Sequence, residues 1–216
     1  MTASGITTDK LANILKETVT ELQAHAEELR ELDSMIGDGD LGVTVNLLSK
    51  AVSDYVASSH ETDVGRFLAL CGPYINRSNP STFGTILALA FMGGGKKVIG
   101  KDAISVSDLV LIGEGAVENI QEKGKASVGD KTVLDSLVPA LETLKKELAS
   151  GSDPKSATTA AVKAAEEGME ATVNMKANIG RAKMFQDNSI GIQDGGATAM
   201  YYIIEAFTKR FMAYFT

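Results

Sequence analysis

Cysteine, runs of positive charge and long apolar stretches are scarce in this sequence, and each shortage excludes a class of protein. Cys71 is the only cysteine, so no internal disulfide can form, and its apolar neighbours predict a buried, inert thiol. The net charge of −7 and the lack of any run of five basic residues argue against binding to nucleic acid. No stretch approaches the roughly 20 apolar residues of a membrane span, and the polar residues 1–10 lack the core of a signal peptide. We therefore expect a cytoplasmic protein that binds neither nucleic acid nor membrane.

Alternating patterns typical of β-strands are also nearly absent, whereas apolar residues recur every three or four positions along most of the chain. Even the best strand candidate, residues 106–112, opens with Ser and Asp residues that favour a helix start. Because short connections favour antiparallel neighbours, the sequence predicts an all-α fold: one domain over residues 1–216, with eight antiparallel amphipathic helices in a closed up-and-down barrel or bundle. The predicted helices cover residues 11–29, 45–56, a stretch that begins near Thr62-Asp63, 83–98, 106–121, 131–148, 154–175 and 197–214.

Glycines cluster near residues 37–42, 93–95, 124–129 and 191–196, which predicts loops at these four places. If the helices run up and down, the first, third, fifth and seventh loops lie at the same end of the bundle. Loops that a rigid scaffold brings together are a common place for a binding site. We therefore expect the functional site where these loops meet.

The first of these loops, Gly37-Asp38-Gly39-Asp40-Leu41-Gly42, combines the glycine spacing of a phosphate-binding loop with two carboxylates. Carboxylates repel phosphate unless a divalent cation lies between them. With Asp33 about one helical turn earlier, three carboxylates converge on a small volume, and such oxygen ligands suit Mg²⁺, Mn²⁺ or Ca²⁺. The alternative is that the Asp-Gly pairs only form turns. The complete run favours metal binding by Asp33, Asp38 and Asp40.

Three familiar ligand-binding motifs do not fit the sequence. A dinucleotide-binding fingerprint must follow a β-strand, but the residues before Gly37 continue a helical pattern. A calcium-binding EF-hand loop that began at Asp38 would place Ser49 where its bidentate glutamate belongs. No Gly-Lys pair is followed by Ser or Thr, as a P-loop requires. A bound nucleotide would therefore use another scaffold.

Three separated blocks resemble the L-subunit (DhaL) family of dihydroxyacetone kinases, and together they span most of the chain. They are Leu32-Asp33 with Ile36-Gly37-Asp38-Gly39-Asp40-Leu41-Gly42, then Gly124-Lys125-Ala126-Ser127-Val128-Gly129-Asp130-Lys131-Thr132-Val133-Leu134-Asp135, and then Gly180-Arg181-Ala182 with Ser189-Ile190-Gly191-Ile192-Gln193-Asp194-Gly195-Gly196-Ala197. The resemblance implies an eight-helix barrel that holds ADP or ATP at one end through two Mg²⁺ ions. It implies that Asp33, Asp38 and Asp40 hold the metal ions. The nucleotide contacts that it implies are Leu41, Gly42, Val43, Thr44, Ser78, Asn79, Gly124, Val133, Arg181, Asp194, Gly195 and Gly196.

Some of these residues have a simpler structural interpretation when they are considered alone. Gly124 then shapes a turn, Val133 packs in a helix core and Arg181 lies on the surface. Asp130 is a candidate cap for the helix predicted from Lys131.

The sequence also departs from the family pattern. Leu41 replaces a histidine, Val133 replaces a methionine, and residues 76–81 and 192–196 differ from the glycine-rich and His-Gln-Asp-Pro-Gly segments of the family. These departures leave the expected metal ligands intact and indicate a divergent paralogue.

The resemblance implies a subunit of a phosphoenolpyruvate-dependent kinase that contributes no catalytic side chain of its own. Its nucleotide stays bound as a cofactor, receives a phosphoryl group from a phosphohistidine carrier of the phosphotransferase system, and passes it to dihydroxyacetone or another small ketose on a separate K subunit. The substrate-binding histidine belongs to that partner, and His25 and His60 are predicted to be solvated surface residues. A transcription regulator is a further candidate partner, and we expect a homodimer. The alternatives are an ATP-dependent kinase subunit with exchangeable nucleotide and a non-catalytic regulatory module that binds nucleotide.

Overall fold

The computed structural model describes residues 5–215, so the first four residues and the last residue of the predicted domain lie outside the described residues. The only strands in this range are two residues long: β1 (Ile6–Thr7) pairs antiparallel with β2 (Ala103–Ile104). The all-α prediction is therefore confirmed. The α-helices of residues 5–215 are α1 (Thr8–Ala24), α2 (Ala26–Ile36), α3 (Leu41–Ser58), α4 (Val64–Ser78), α5 (Thr82–Lys96), α6 (Val106–Gly124), α7 (Leu134–Ala149), α8 (Pro154–Ala171) and α9 (Gly195–Met212).

Side-chain caps explain where several helices begin. The Asp63 carboxylate accepts a backbone N–H from the first turn of α4, and Asp153 caps α8 in the same way. At the start of α6, Ser105 and Asp108 form a capping box in which the Asp108 carboxylate accepts the Ser105 N–H at 2.8 Å. These three starts agree with the Ser, Thr and Asp signals in the sequence, and the best strand candidate is a helix.

Two predicted helix boundaries are wrong for local reasons. The first predicted helix is two helices, because the backbone of His25 leaves the α-helical region (φ −95°, ψ 8°) between α1 and α2. The His25 ring is not simply solvated, since it stacks on Tyr202 of α9 with 3.9 Å between the ring centroids. The helix predicted from Lys131 begins at Leu134 instead, because Lys131 has a φ of 64°, which a right-handed helix cannot contain.

The connection from α8 to α9 is longer than predicted. The helix α8 ends at Ala171 rather than at residue 175. Two 3₁₀ segments follow, Thr172–Asn174 and Arg181–Ser189, and the second is interrupted by a non-helical backbone at Gln186. This connection carries the third block of the family resemblance.

Each helix packs against the next one in the chain, and α9 returns to pack against α1 and α2. The faces that meet are apolar: Leu11, Phe67 and Phe211 are at most 1% exposed. Cys71 lies in this core, where burial raises the pKa of its thiol to about 12, so the predicted buried thiol is confirmed. Among residues 5–215, no helix combines the length and the apolar character needed to cross a membrane.

The glycines at 93–95 lie inside α5 and not in a loop, so this part of the glycine prediction is wrong. They allow neighbouring helix backbones to approach closely. A Cβ on Gly93 would lie 2.1 Å from the carbonyl oxygen of Gly115 in α6, and a Cβ on Gly95 would lie 2.6 Å from that of Gly65 in α4. A glycine required by a helix contact cannot be distinguished in the sequence from a glycine that shapes a loop.

Candidate functional site

A pocket of about 160 Å³ lies where four connections between helices meet. Its walls come from residues 33–41 around the α2–α3 connection, 82–86 after the α4–α5 connection, 131–133 before α7 and 179–196 around the α8–α9 connection. If α1 and α2 are counted as the single predicted helix, these are the first, third, fifth and seventh connections. The prediction that these connections meet at one end is confirmed.

The three predicted metal ligands converge on one wall of this pocket. Asp33 lies in the last turn of α2, and Asp38 and Asp40 follow in the α2–α3 connection. One carboxylate oxygen from each lies within 4.8 Å of the other two. Gly39, between two of them, has a φ of 72°, a left-handed conformation that a residue with a side chain rarely adopts. Carboxylate oxygens are the ligands that a hard divalent cation such as Mg²⁺ prefers, and metal binding itself stays a prediction.

The negative charge of these aspartates is only partly balanced by the protein. Burial, together with the nearby charge of Asp33, raises the pKa of Asp40. The Arg181 guanidinium contacts the Asp38 carboxylate and lies 3.5 Å from that of Asp40. The Arg181 side chain is half exposed, and it also lines the pocket, so it is not only a surface residue. The site therefore attracts cations.

The N-terminus of α3 borders the same acidic wall and offers backbone N–H groups to an anion. The Leu41 N–H donates to the Asp33 carboxylate at 3.3 Å, and the N-cap residue Asp40 makes no side-chain cap hydrogen bond. The N–H groups of Gly42 and Val43 lie in the first turn, where a helix provides no acceptor and its dipole adds positive potential. Gly42 also has a packing role, since a Cβ there would lie 2.4 Å from the Ala26 carbonyl oxygen of α2.

Other predicted nucleotide contacts lie outside the pocket walls. Asn79 is buried, and its side-chain amide donates to the Thr44 carbonyl at 2.9 Å, which joins the end of α4 to α3. Ser78 is exposed at the end of α4, and Gly124 is the last residue of α6. The predicted contacts that do not line the pocket are Gly42, Val43, Thr44, Ser78, Asn79 and Gly124. Those that line it, besides the three aspartates, are Leu41, Val133, Arg181, Asp194, Gly195 and Gly196.

Another wall of the pocket begins with Asp194, whose carboxylate caps α9 by accepting the Ala197 N–H at 2.7 Å. The two glycines that follow keep this wall thin. A Cβ on Gly195 would lie 3.0 Å from the Leu41 side chain, and a Cβ on Gly196 would lie 3.5 Å from that of Val133. Leu41 and Val133 are both buried, so two departures from the family pattern form an apolar part of the pocket. Val133 is a core residue and a pocket residue at once.

The connection before α7 is held by two aspartates. The Asp135 carboxylate accepts the N–H groups of Gly129 and Thr132, both at 2.6 Å. The prediction that Asp130 caps this helix is wrong, because its carboxylate accepts the Ser127 N–H at 2.8 Å and not an N–H of α7. The turn of residues 127–132 is thus folded back on the start of α7.

Lys131 is a site residue that sequence reasoning missed. It lines the pocket, is 2% exposed, and donates to three backbone carbonyl oxygens. Burial lowers the pKa of its ammonium group. Its partners lie 44 to 61 residues away, so no local pattern separates it from the exposed lysines. Its position inside the second family block is the one signal in the sequence.

Asp194 gives the metal-free protein a measurable pH dependence. Burial raises its pKa to about 6, although the Ala197 N–H and the Lys131 ammonium act in the opposite direction. A carboxyl group whose pKa is raised by folding stabilises the fold below its unfolded pKa, and this contribution is lost as the pH rises through the folded pKa. We therefore expect Asp194 to make a contribution to the unfolding free energy that decreases between about pH 4 and pH 6, so the difference in unfolding free energy between the wild-type protein and Asp194→Asn should change over this range.

Urea denaturation at a series of pH values measures this difference. The control is Asp153→Asn, because the Ser156 hydroxyl and N–H groups lower the pKa of this other helix-capping aspartate. Its stabilising contribution is therefore present above the unfolded pKa and lost as the pH falls, which is the opposite sign. Equal pH slopes in the wild-type protein and Asp194→Asn would contradict the prediction.

Comparison with known proteins defines the class to which this fold and site belong. Residues 35–209 match the DAK2 domain, so the chain belongs to the DAK2 domain family. The matched range contains Asp38, Asp40, Lys131, Arg181 and Asp194, and Asp33 lies two residues before it.

Several individual proteins that are similar to this chain are named as dihydroxyacetone kinases or their subunits. The ADP-binding subunit DhaL of the PEP-dependent dihydroxyacetone kinase of Escherichia coli strain K12 is 26% identical over 196 residues, which cover 91% of this chain and 93% of that subunit. A probable dihydroxyacetone kinase of Dictyostelium discoideum is 32% identical over 210 residues, which cover 90% of this chain and 32% of that protein. The crystal structure of the dihydroxyacetone kinase from C. freundii in complex with AMP-PNP and Mg²⁺ shares the fold, with a TM-score of 0.69 and 24% identity over 92% of this chain and 33% of that chain. The resemblance to the L-subunit family is confirmed, and the chain spans about a third of the longer kinases.

Proposed function

We propose that this chain is the nucleotide-binding subunit of a kinase that phosphorylates dihydroxyacetone or another small ketose. The observation that carries the proposal is the convergence of Asp33, Asp38 and Asp40 beside the N-terminus of α3. In this proposal residues 1–216 form one domain, and the helices form a closed eight-helix barrel in which α1 and α2 count as one. ADP or ATP lies at one end of it with two Mg²⁺ ions. The relative that is named an ADP-binding subunit and the fold shared with a kinase that binds AMP-PNP and Mg²⁺ support this proposal.

The residues in the pocket fit such a ligand chemically. The three carboxylates are the oxygen ligands that Mg²⁺ prefers, and bound Mg²⁺ would offset the negative charge of the phosphates. Beside the pocket, at the positive end of α3, the N–H groups of Gly42 and Val43 would donate to phosphate oxygens. Arg181 would neutralise further phosphate charge, and the apolar side chains of Leu41 and Val133 would contact the adenine ring.

The pocket supplies groups that could bind a nucleotide, and the one lysine among its described lining residues, Lys131, already donates to three backbone carbonyls. None of its lining residues in the described part of the chain is a histidine or a cysteine. This supports a composite active site in which a K subunit presents the ketose and a phosphohistidine carrier of the phosphotransferase system rephosphorylates the bound nucleotide. Phosphoryl transfer depends mainly on positioning and charge neutralisation, so the proposal assigns no catalytic residue to this chain. A cytoplasmic location, a homodimer and a transcription regulator as a further partner belong to the same proposal.

A second candidate is an ATP-dependent kinase subunit whose nucleotide exchanges freely. It is favoured by the longer relatives, which include a triokinase/FMN cyclase of Mus musculus that is 29% identical and of which the match covers 35%. The two candidates differ in how long one nucleotide molecule stays in the site.

Native mass spectrometry of the dialysed protein tests the proposal. We expect a mass that corresponds to the chain with one ADP and two Mg²⁺ ions, and slow exchange when labelled ADP is added. Rapid exchange would favour the ATP-dependent candidate. Binding without turnover, after a K subunit and a phosphohistidine carrier are added, would favour the regulatory module. A protein that neither retains ADP nor binds it in the presence of Mg²⁺ would contradict the proposal.

A further inference from the structure

Lys131 combines two features that are unfavourable in a folded protein. Its side chain is buried, although a charged ammonium group loses favourable hydration when it leaves water. Its backbone has a φ of 64°, in the left-handed region that residues with a Cβ rarely occupy. Features of this kind persist where the surrounding structure compensates for them, and they concentrate at functional sites.

The compensation for Lys131 comes from both ends of one long excursion of the chain. We call residues 176–188 the excursion; it connects the end of α8 to the segment before α9 and carries Arg181. The Lys131 Nζ donates to the Met175 carbonyl at 3.2 Å, just before the excursion. It also donates to the Ser189 and Ile192 carbonyls, both at 2.5 Å, just after the excursion. One ammonium group thus joins the two stems of the excursion, which are the segments that flank it at residues 172–175 and 189–194.

The backbone of Lys131 is itself fixed to α7. Asp135, in the first turn of α7, accepts the N–H groups on both sides of Lys131, those of Gly129 and Thr132. Asn178 of the excursion donates its side-chain amide to Asp130 at 3.1 Å. The Asn178 backbone N–H also donates to the Asp130 carbonyl at 3.3 Å. The excursion is therefore attached to the segment before α7 at Asn178, and its two ends are attached there by Lys131.

Other hydrogen bonds join the two sides of the connection directly, but they do not connect them to α7. The Ala177 N–H donates to the Ser189 hydroxyl at 2.9 Å, and the Gly191 N–H donates to the Val173 carbonyl at 2.7 Å. They close the base of the excursion. The bonds of Lys131 fix where the excursion lies relative to the pocket.

We propose that Lys131 is a positioning residue, which holds Arg181 over the pocket by joining the two stems of the excursion to α7. The inference rests on the proposed function to the extent that Arg181 contacts the nucleotide. The role is indirect because an ammonium group has three N–H donors and all three are used by carbonyl groups, which leaves none for a phosphate. Burial also lowers the pKa of Lys131, which agrees with a group that is enclosed by protein.

Hydrogen exchange of the ligand-free protein tests the attachment without any assumption about nucleotide. In Lys131→Met, the amides of residues 176–191 should exchange at least about tenfold faster than in the wild-type protein, while those in the centres of the helices keep their protection. Lys131→Asn is the second variant, because asparagine tolerates a positive φ but cannot reach the three carbonyls. The matched control is Lys176→Met, which removes an exposed lysine of the same excursion that pairs with Asp187 at 2.8 Å. Unchanged exchange in both Lys131 variants would overturn the proposal.

A double-mutant cycle on ADP affinity tests whether Lys131 acts through Arg181. Titration calorimetry with Mg²⁺ present would compare Lys131→Met, Arg181→Gln and the double variant with the wild-type protein. If Lys131 positions Arg181, each single change should weaken ADP binding by about tenfold or more, and the double change should weaken it little further than the stronger single change. A general loss of structure would instead give multiplicative effects, and that result would overturn the positioning role.

The two experiments separate this inference from the proposed function. Faster exchange in Lys131→Met together with no ADP binding by the wild-type protein would leave the attachment of the excursion established and would contradict the nucleotide-binding function. ADP binding by the wild-type protein together with unchanged exchange in both Lys131 variants would support the nucleotide-binding function and would contradict the role of Lys131.

Discussion

Asp38→Asn and Asp40→Asn are each expected to weaken Mg²⁺-dependent ADP binding by about 100-fold or more. Each change keeps the size of the side chain but removes one of three carboxylates that lie within 4.8 Å of one another. Without that charge, a divalent cation loses a ligand, and the remaining carboxylates face the phosphates with less compensation. The site would then repel the nucleotide that it is proposed to hold.

Titration calorimetry with and without Mg²⁺ measures this loss, and circular dichroism checks that the helix content is unchanged. Asp40→Asn should not destabilise the metal-free protein, because burial and the charge of Asp33 already disfavour its ionised form. The control is Asp54→Asn in α3, which removes an exposed aspartate that pairs with Lys50 at 2.6 Å. ADP binding that depends on Mg²⁺ as strongly in both site variants as in this control would exclude the metal role.

The Gly115→Ala variant is expected to lower the free energy of unfolding by about 3 kcal/mol. The new Cβ would lie 2.3 Å from the carbonyl oxygen of Gly93 in α5. A backbone atom cannot move aside as a side chain can, so α5 and α6 must separate along their line of contact. The loss of packing outweighs the higher helix propensity of alanine, which favours the substitution by about 1 kcal/mol.

Gly113→Ala is the matched control for this prediction, since it lies two residues earlier in the same helix. Its new Cβ would meet Cδ1 of Leu141 at 2.7 Å, and this methyl group can move because Gly113 and Leu141 both border an apolar cavity. Urea denaturation should show little or no destabilisation for Gly113→Ala. A similar loss of unfolding free energy in both variants would mean that the Gly93–Gly115 contact tolerates a Cβ as well as the Gly113–Leu141 contact does.

Features of the fold that depend on near neighbours in the sequence could be predicted. The amphipathic period places the helices, and caps such as Asp63 and Asp153 mark where α4 and α8 begin, because a cap acts within one turn. The break at His25 could not be predicted, and the glycines at 93–95 wrongly indicated a loop inside the helix predicted over residues 83–98. The sequence shows neither the stacking of His25 on Tyr202 nor the close approach of Gly93 to Gly115 of α6.

The residues of the candidate site also fall into those that near neighbours in the sequence predict and those that only the packing of the helices brings together. Asp33, Asp38 and Asp40 lie within eight positions, so their convergence follows from a helix end and a short glycine turn. Arg181 and Asp194 reach the pocket only through the packing of α8 and α9, and residue spacing alone gave no reason to join them to the aspartates. The family resemblance supplied that connection. Neither approach revealed Lys131, because its role depends on backbone carbonyls, which have no signature in the sequence.

The position of α9 ties the completion of folding to the completion of the pocket. This helix pairs its Arg210 with Glu17 of α1 across 193 residues of chain, so a large loop must close before it can dock. Its first residues, together with Asp194, also form one wall of the pocket. A chain in which α9 had not yet docked would lack both the packing of α9 against α1 and α2 and that wall. The ability to bind a ligand in this pocket would therefore report that α9 has docked.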